Sequence, residues 1–571
     1  MTNLQFRVLY REFLFRMVDL EMLSAQGDIS ELFGKFASLL VFFSSTLALG
    51  AFFRDTRRIP PEKLLLANWG TEHFLIATTM LVVGLFAVLS WDSTFPDRRD
   101  VLVLAPLPIR ARTLFLAKVA ALAAALGITV GALNIGTGVT WPMIFLPVGA
   151  GFLGLLRCYA AYWITMVAAG AFIFCCLLVV QGLAAQLPRR RFLRLSAFLQ
   201  MAAFCLLLCV YFLQPSLATP KALAAATNHR LLAALPSYWF WGLFQSLNGS
   251  TAGQPAIAFL VRRAWAGLAL AALGAGVAFL LSYFRTLRKI VEEPDIVAAT
   301  RRLNWSPRFG NSLATAVVLF SVRTLLRSRQ HRVILAFYLG IGFAVVIFLM
   351  KALLQEQERL GASTGVLSHQ VNVPLLASTA VMMAAWVAGT RIVFAMPLEL
   401  RANWIFRVTA VRGTIEYLTA SRRPLFVLAV APVWVGSAAL LLSIWPWQPV
   451  LEHLVVLGLW GAILAYLCLH GFQKIPFTCS YLPGKSPLTF VFLGVSLFLN
   501  LLIAGVNFER RALDRPASYA AMVAVLAVAA LCVRWRTMAR AKSEESEVQF
   551  EETLTPTVLV LGLNRDGVVP M

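Results

Sequence analysis

Charge is scarce in this chain, and acidic charge most of all. Asp and Glu together number 27 in 571 residues, and charged residues of both signs reach only 13%, against about 25% in soluble domains. Deep inside the apolar runs acidic residues are nearly absent, which argues against transport driven by protons or sodium, because intramembrane carboxylates mark ion paths. Chemistry-bearing motifs are missing as well. There is no HExxH, no G-x-S-x-G and no evident carboxylate pair, so no catalytic residue, metal site or cofactor site is assigned. Gly484-Lys485-Ser486 fails as a phosphate-binding loop: Cys479 stands where the first glycine is needed, and Pro483 removes a backbone N–H from the cradle. The histidines, His73, His229, His331, His369, His453 and His470, are scattered, and no convergence of acidic residues and histidines is readable; Glu452-His453 and His470 sit near predicted helix ends. The eight cysteines show neither metal-ligand spacing nor a disulfide framework and read as small core residues. The opening MTNLQFRVLYREFLFR is too interrupted by charge for a cleaved signal peptide.

What is abundant is apolar surface. Hydrophobic residues make up 59%, and mean hydropathy is +0.76. A soluble fold cannot hide that much, because surface grows too fast relative to volume; a bilayer can. Spanning backbone must satisfy its own hydrogen bonds, so the long runs are helices. Spans are predicted at 31–53, 73–91, 113–136, 161–187, 195–214, 264–284, 332–353, 374–396, 425–445, 450–471, 488–508 and 516–533. The net charge of +23 reads as the positive-inside rule rather than as nucleic-acid binding. With both termini cytoplasmic, most of the 50 Lys and Arg fall on the inner side. The first outer loop, with Arg54, Arg57, Arg58 and Lys63, fits that rule least.

The fold class expected is all-α: a polytopic integral membrane protein of about 12 transmembrane helices arranged as a parallel 6+6 tandem duplication. Residues 1–290 form the first six-helix unit with an N-terminal interfacial helix. Residues 291–535 form the second, with its interfacial helix near 317–332, and 536–571 form a short cytoplasmic tail. The two halves share Pro106-Leu107-x-x-Arg110-Ala111 and Pro397-Leu398-x-x-Arg401-Ala402, each following the second span of its half. An even number of spans per half makes the copies parallel, as in many transporters. In 317–332, Arg323 and Arg327 share a face beside Leu325 and Leu326, which suits a helix at the headgroup level. The segment LPSYWFWGLFQSLNG reads as an outer-face interfacial element, with Tyr238, Trp239 and Trp241 as belt aromatics.

Together, these features resemble the permease subunits of ATP-binding-cassette exporters, the class moving drugs, polysaccharides or lipids whose ATPase is a separate chain. FSVRTLLRSRQHRV looks like the connecting helix of that family. DRRDVLVLAPLPIRARTLFLAKVAAL looks like its coupling segment, and LPSYWFWGLFQSLNG resembles its short outer helices before the sixth span. The resemblance implies a separate ATPase partner, contacted through Asp97, Arg98, Arg99, Asp100, Arg110 and Arg112 in the first half and through Arg401 and Arg407 in the second. It also implies the cytoplasmic (inner) membrane of a bacterium, no enzymatic activity in this chain and no nucleic-acid partner. The chain departs from the family in its brief second outer loop, FERRALDRPAS, and in AMPLELRANWIFR, which copies the first coupling segment only loosely. The alternatives are a secondary transporter of the major facilitator type, a membrane-embedded lipid enzyme and a membrane scaffold.

Overall fold

Lipid leaves backbone N–H and C=O groups no partner but each other, and the described residues are predominantly helical. The computed structural model describes residues 3–18, 29–52, 61–96, 104, 107, 109–146, 151–215, 217–249, 255–292, 307–359, 371–396, 420, 422–469, 476–477 and 488–543, and no strand occurs among them. The chain divides into two compact units, Met1–Thr300 and Arg301–Met571. Ten helices among the described residues are long and apolar enough to cross a membrane, five in each unit. The other two predicted spans are helical too. One holds a shorter apolar stretch, Phe36–Leu49, and the other ends in a turn carrying Arg510 and Arg511.

The first unit runs α1 (Asn3–Val18), α2 (Ile29–Phe52), α3 (Pro61–Leu89), α4 (Ala111–Asn134), α5 (Gly151–Ala185), α6 (Arg189–Leu213), α7 (Pro236–Asn248) and α8 (Pro255–Glu292). Helix α5 is its spine and packs on α3, α7 and α8. Small residues set that packing, as is usual where lipid offers no hydrophobic drive between helices. A Cβ on Gly182 would stand 2.8 Å from the Ala278 Cβ of α8, and one on Gly170 would stand 2.8 Å from Val130 of α4. Opposite faces stay apolar and exposed, as with Leu270, Leu273, Val277 and Leu281 on α8; these are the faces for lipid. Helix α1 buries Leu9, Phe13 and Met17 against α4, where the Phe13 ring lies 4.7 Å from the Lys118 ammonium. That buried lysine also donates to the Ser93 carbonyl at 2.5 Å. A hydroxyl and amide cluster ties α2, α3, α4 and α5: Ser44 Oγ accepts from the backbone N–H of Gly136 and Thr137, and Tyr162 donates to Asn134 at 3.0 Å.

The second unit runs α9 (Ser312–Arg327), α10 (Arg329–Arg359), α11 (Val373–Phe394), α12 (Ala431–Leu442), α13 (Trp447–Cys468), α14 (Leu488–Leu513) and α15 (Pro516–Ser543). A separate helix, α9, overlaps the segment 317–332 expected to be interfacial, beginning five residues earlier and ending at Arg327. It buries the stripe Ala314, Val317, Val318, Ser321 and Thr324 and exposes Arg323 and Arg327. Ser328 takes extended backbone (φ −77, ψ 118), so α9 is a separate helix and not an extension of α10. Helices α10 and α11 meet closely, with Gly389 placing a Cβ position 2.6 Å from the Tyr338 Cβ. A π turn, Phe426–Val430, leads into α12 just before Pro432. Proline lacks the N–H that would close an α turn, and its ring crowds the carbonyl four residues back; a wider turn relieves both.

Candidate functional site

Three helices of the second unit bring one polar chain into an apolar interior. Helix α11 supplies Thr379, α13 supplies His453 and α14 supplies Glu509. The His453 imidazole faces Thr379 Oγ1 through Nε2 at 2.8 Å and Glu509 Oε1 through Nδ1 at 2.7 Å. The His453 and Glu509 side chains are 1% and 5% exposed, so water screens neither. Proton positions follow from the partners. Thr379 Oγ1 lies 2.7 Å from the Leu376 carbonyl oxygen, which can only accept. The hydroxyl proton therefore points there, and His453 donates from Nε2 to Thr379. One proton remains for the short gap between Nδ1 and Glu509. On Nδ1 it makes an imidazolium–carboxylate pair, and on Oε1 it makes two neutral groups; either way the site carries no net charge.

The pair lines a cavity of about 440 Å³, whose other walls include Trp460, Leu501, Leu502, Gly505, Val525 and Leu526. Among the described residues, His453 and Glu509 are the only ionisable groups in that lining. Leu501 and Val525 are 62% and 68% exposed and lie on the apolar outer faces of α14 and α15, so the cavity opens sideways, toward the surface that lipid covers. Trp460 stacks on Phe498 at 6.0 Å, and its buried indole N–H has no partner among the described residues. The arrangement can hold or transfer one proton beside a pocket for an apolar molecule.

The first unit holds a second buried carboxylate. Glu72 on α3 accepts from Trp241 Nε1 at 3.1 Å and from Gln245 Nε2, both on α7. The next residue, His73, reaches Ser237 Oγ at 3.0 Å and stacks on the Tyr238 ring at 4.0 Å. Helix α7 is punctuated as sequence rules require, with Pro236 in its first turn and Gly249 after its end at φ +75. Gly249 lies against the Arg157 guanidinium, which donates to the Leu247 carbonyl at 2.6 Å. Tyr238 donates to the Pro215 carbonyl and accepts from the Leu217 N–H at 2.9 Å. Burial pushes its phenol up to about 12, against the lowering effect of the Leu217 bond.

These positions revise the sequence expectations. Tyr238 and Trp241 are fully buried, at 0% exposure, and α7 inserts between α3, α5 and α8 instead of resting on the outer surface as a belt. Only Trp239 is half-exposed, its Nε1 donating to the Leu232 carbonyl and its ring beneath Arg263. The expectation that acidic residues and histidines do not converge is overturned by His453 and Glu509. Glu509 fell in the predicted outer loop FERRALDRPAS; α14 continues through it to Leu513, and that added turn is what aims the carboxyl inward. Among the expected ATPase contacts, Arg110 stands exposed at the start of α4 in extended conformation and Arg112 is exposed in its first turn. Asp97, Arg98, Arg99, Asp100, Arg401 and Arg407 lie outside the described residues, as does His470.

An all-helical chain with ten membrane-capable helices and polar groups sequestered between them defines a multi-pass membrane protein in contact with the bilayer. Comparison with known protein families, curated proteins and solved structures found no match to this chain.

Proposed function

We propose that the chain is the membrane-embedded permease of an ATP-driven exporter whose ATPase is a separate subunit. It would reside in the cytoplasmic membrane of a bacterium, with both termini on the cytoplasmic side and its two units as parallel copies of a six-helix design. The observation that carries this reading is the shared opening of the two units. Each begins with a 16-residue helix of mixed character: α1 buries Leu9, Phe13 and Met17 and exposes Arg7 and Arg11, and α9 buries Val317, Val318 and Ser321 and exposes Arg323 and Arg327. Such helices suit the headgroup layer and are the feature expected of connecting helices. The exposed stretch around Leu107, Arg110 and Arg112 is the docking element for the ATPase in the first unit, and Arg401 and Arg407 serve the second. ATP hydrolysis acts only through differential affinity of the ATPase for two arrangements of the helices.

The test is purification from native membranes in mild detergent, with Arg110→Glu and Arg401→Glu as variants. A stoichiometric ATP-binding-cassette ATPase that is lost from both variants supports the reading. An intact, monodisperse protein that reproducibly carries no ATPase refutes it. A second reading, a secondary transporter exchanging protons, is favoured by the Thr379–His453–Glu509 chain. Substrate movement driven by a pH gradient in proteoliposomes of this chain alone distinguishes it.

A further inference from the structure

We propose that the cavity between α13, α14 and α15 is a binding site for a lipophilic primary amine, its ammonium group on Glu509 and its apolar body along Trp460, Leu501 and Val525. The inference does not depend on the exporter reading. Four observations converge. The cavity opens on the lipid-covered faces through Leu501 and Val525, so a ligand arrives from the bilayer and must be apolar over most of its surface. The site is built around a buried carboxyl: Glu509 is 4% exposed, its Oε1 faces His453, and it is part of the cavity wall. An acid or an alcohol is too weak a base to take the proton that the pair shares, whereas an alkylamine is basic enough to hold it. Gly505, one turn before Glu509 on α14, faces open space, with nothing within 4 Å of an added Cβ, which leaves room for a chain beside the carboxyl.

Charge balance then prescribes a proton transfer. Without ligand, the His453–Glu509 pair holds one proton and no net charge. A primary amine arriving through lipid as the neutral base takes that proton on its nitrogen lone pair, leaving an ammonium on the Glu509 carboxylate and a neutral His453 that keeps the Nε2 proton it donates to Thr379. The proton passes from the pair to the amine, and the site stays neutral. Other ionisable groups near the pair do not alter this balance. Glu452 neighbours His453 on α13, and the Tyr519 hydroxyl of α15 donates to the Glu452 carbonyl at 3.0 Å. On α14 itself, Arg510 and Arg511 are exposed. The ionisable residue that α11 contributes is Arg391, about 18 Å along the helix from Thr379 and donating to the Cys468 carbonyl.

A free amine and an aminophospholipid both carry this group, and the experiment separates these sources. Full-length protein in phosphatidylcholine nanodiscs is titrated with radiolabelled dodecylamine across neutral pH, with empty nanodiscs subtracted and dodecanol as the uncharged control. We expect saturable amine binding that strengthens up to about tenfold per pH unit as the neutral amine becomes more abundant in water. It should weaken by about tenfold or more in Glu509→Gln. It should vanish in Gly505→Phe, which fills the cavity and leaves the His453–Glu509 pair in place. Including phosphatidylethanolamine in the nanodisc shows the source: competition assigns the site to the lipid headgroup, and no competition assigns it to a free amine. Equal binding of dodecanol, a flat pH dependence, or undiminished binding in monodisperse Gly505→Phe overturns the proposal. If Glu509→Gln does not stay monodisperse, the pH slope and Gly505→Phe decide.

Discussion

The strength of the His453–Glu509 contact can be separated from the individual side chains by a double-mutant cycle. His453→Leu keeps most of the ring's volume and removes both nitrogens; Glu509→Met keeps the chain length and removes the carboxyl. Both side chains are almost wholly excluded from solvent and their atoms lie 2.7 Å apart, so no discount for screening applies. Removing one member of a buried pair costs about 3–5 kcal/mol because the other is left uncompensated. In membranes the unfolded reference finds other partners, and measured couplings reach only about 1.7 kcal/mol. The coupling expected here is therefore about 1.5–3 kcal/mol, and the double variant should be more stable than the sum of the single losses implies. The assay is reversible unfolding in mixed micelles by titration with a denaturing detergent, followed by tryptophan fluorescence. Thr379→Val adds a third corner: its cost should shrink in the His453→Leu background, because the two share a bond of 2.8 Å. A coupling below about 0.5 kcal/mol, the scatter of independent sites, would refute a shared proton between His453 and Glu509.

Trp241→Phe removes the indole donor from Glu72 and should lower stability by about 1–3 kcal/mol, read as a lower midpoint in the same unfolding titration. Gly242→Ala should cost a similar amount, about 1–3 kcal/mol, because a Cβ there would meet the Leu260 Cβ at 2.6 Å. Tyr238 predicts an alkaline transition. Its folded phenol is raised from 10 to about 12, so the stability it contributes is complete below about pH 10 and fades as pH climbs toward 12. Tyr238→Phe should flatten that part of the stability curve, and phenolate absorbance near 295 nm (roughly the usual wavelength) gives an independent titration of the same group.

The membrane architecture was legible because lipid imposes one requirement on every span, a long apolar helix, and hydropathy reads it locally. The sites were not, because each is made by residues that meet only after packing. His453 finds Thr379 and Glu509 from 74 and 56 residues away, and neither separation leaves a local pattern. Glu509 was hidden further by its neighbours: Glu-Arg-Arg reads as a solvated loop, whereas α14 keeps its helix and turns Arg510 and Arg511 outward while Glu509 points in. Helix α7 misled in the opposite direction. Its dense aromatics satisfy the composition of an interfacial belt, and only the tertiary fit, with Glu72 waiting for Trp241 and Gln245, reveals that they face the interior. Glu72 stands just before the predicted span 73–91; α3 begins earlier, at Pro61, and carries it inside.

The π turn ahead of Pro432 divides the span leading through α12 into two registers. A π turn accommodates one residue more than an α turn, and each helical residue advances by about 100°. The segments on either side of Phe426–Val430 are therefore wound out of phase by about a quarter of a revolution. At the first residue of the bulge, Phe426 meets Tyr466 at 5.5 Å; after it, Trp434 donates to the Leu454 carbonyl at 2.9 Å, so one span grips two levels of α13 with two different azimuths. Pro432 fixes the surplus residue ahead of it, so the offset between the two grips is written into the sequence.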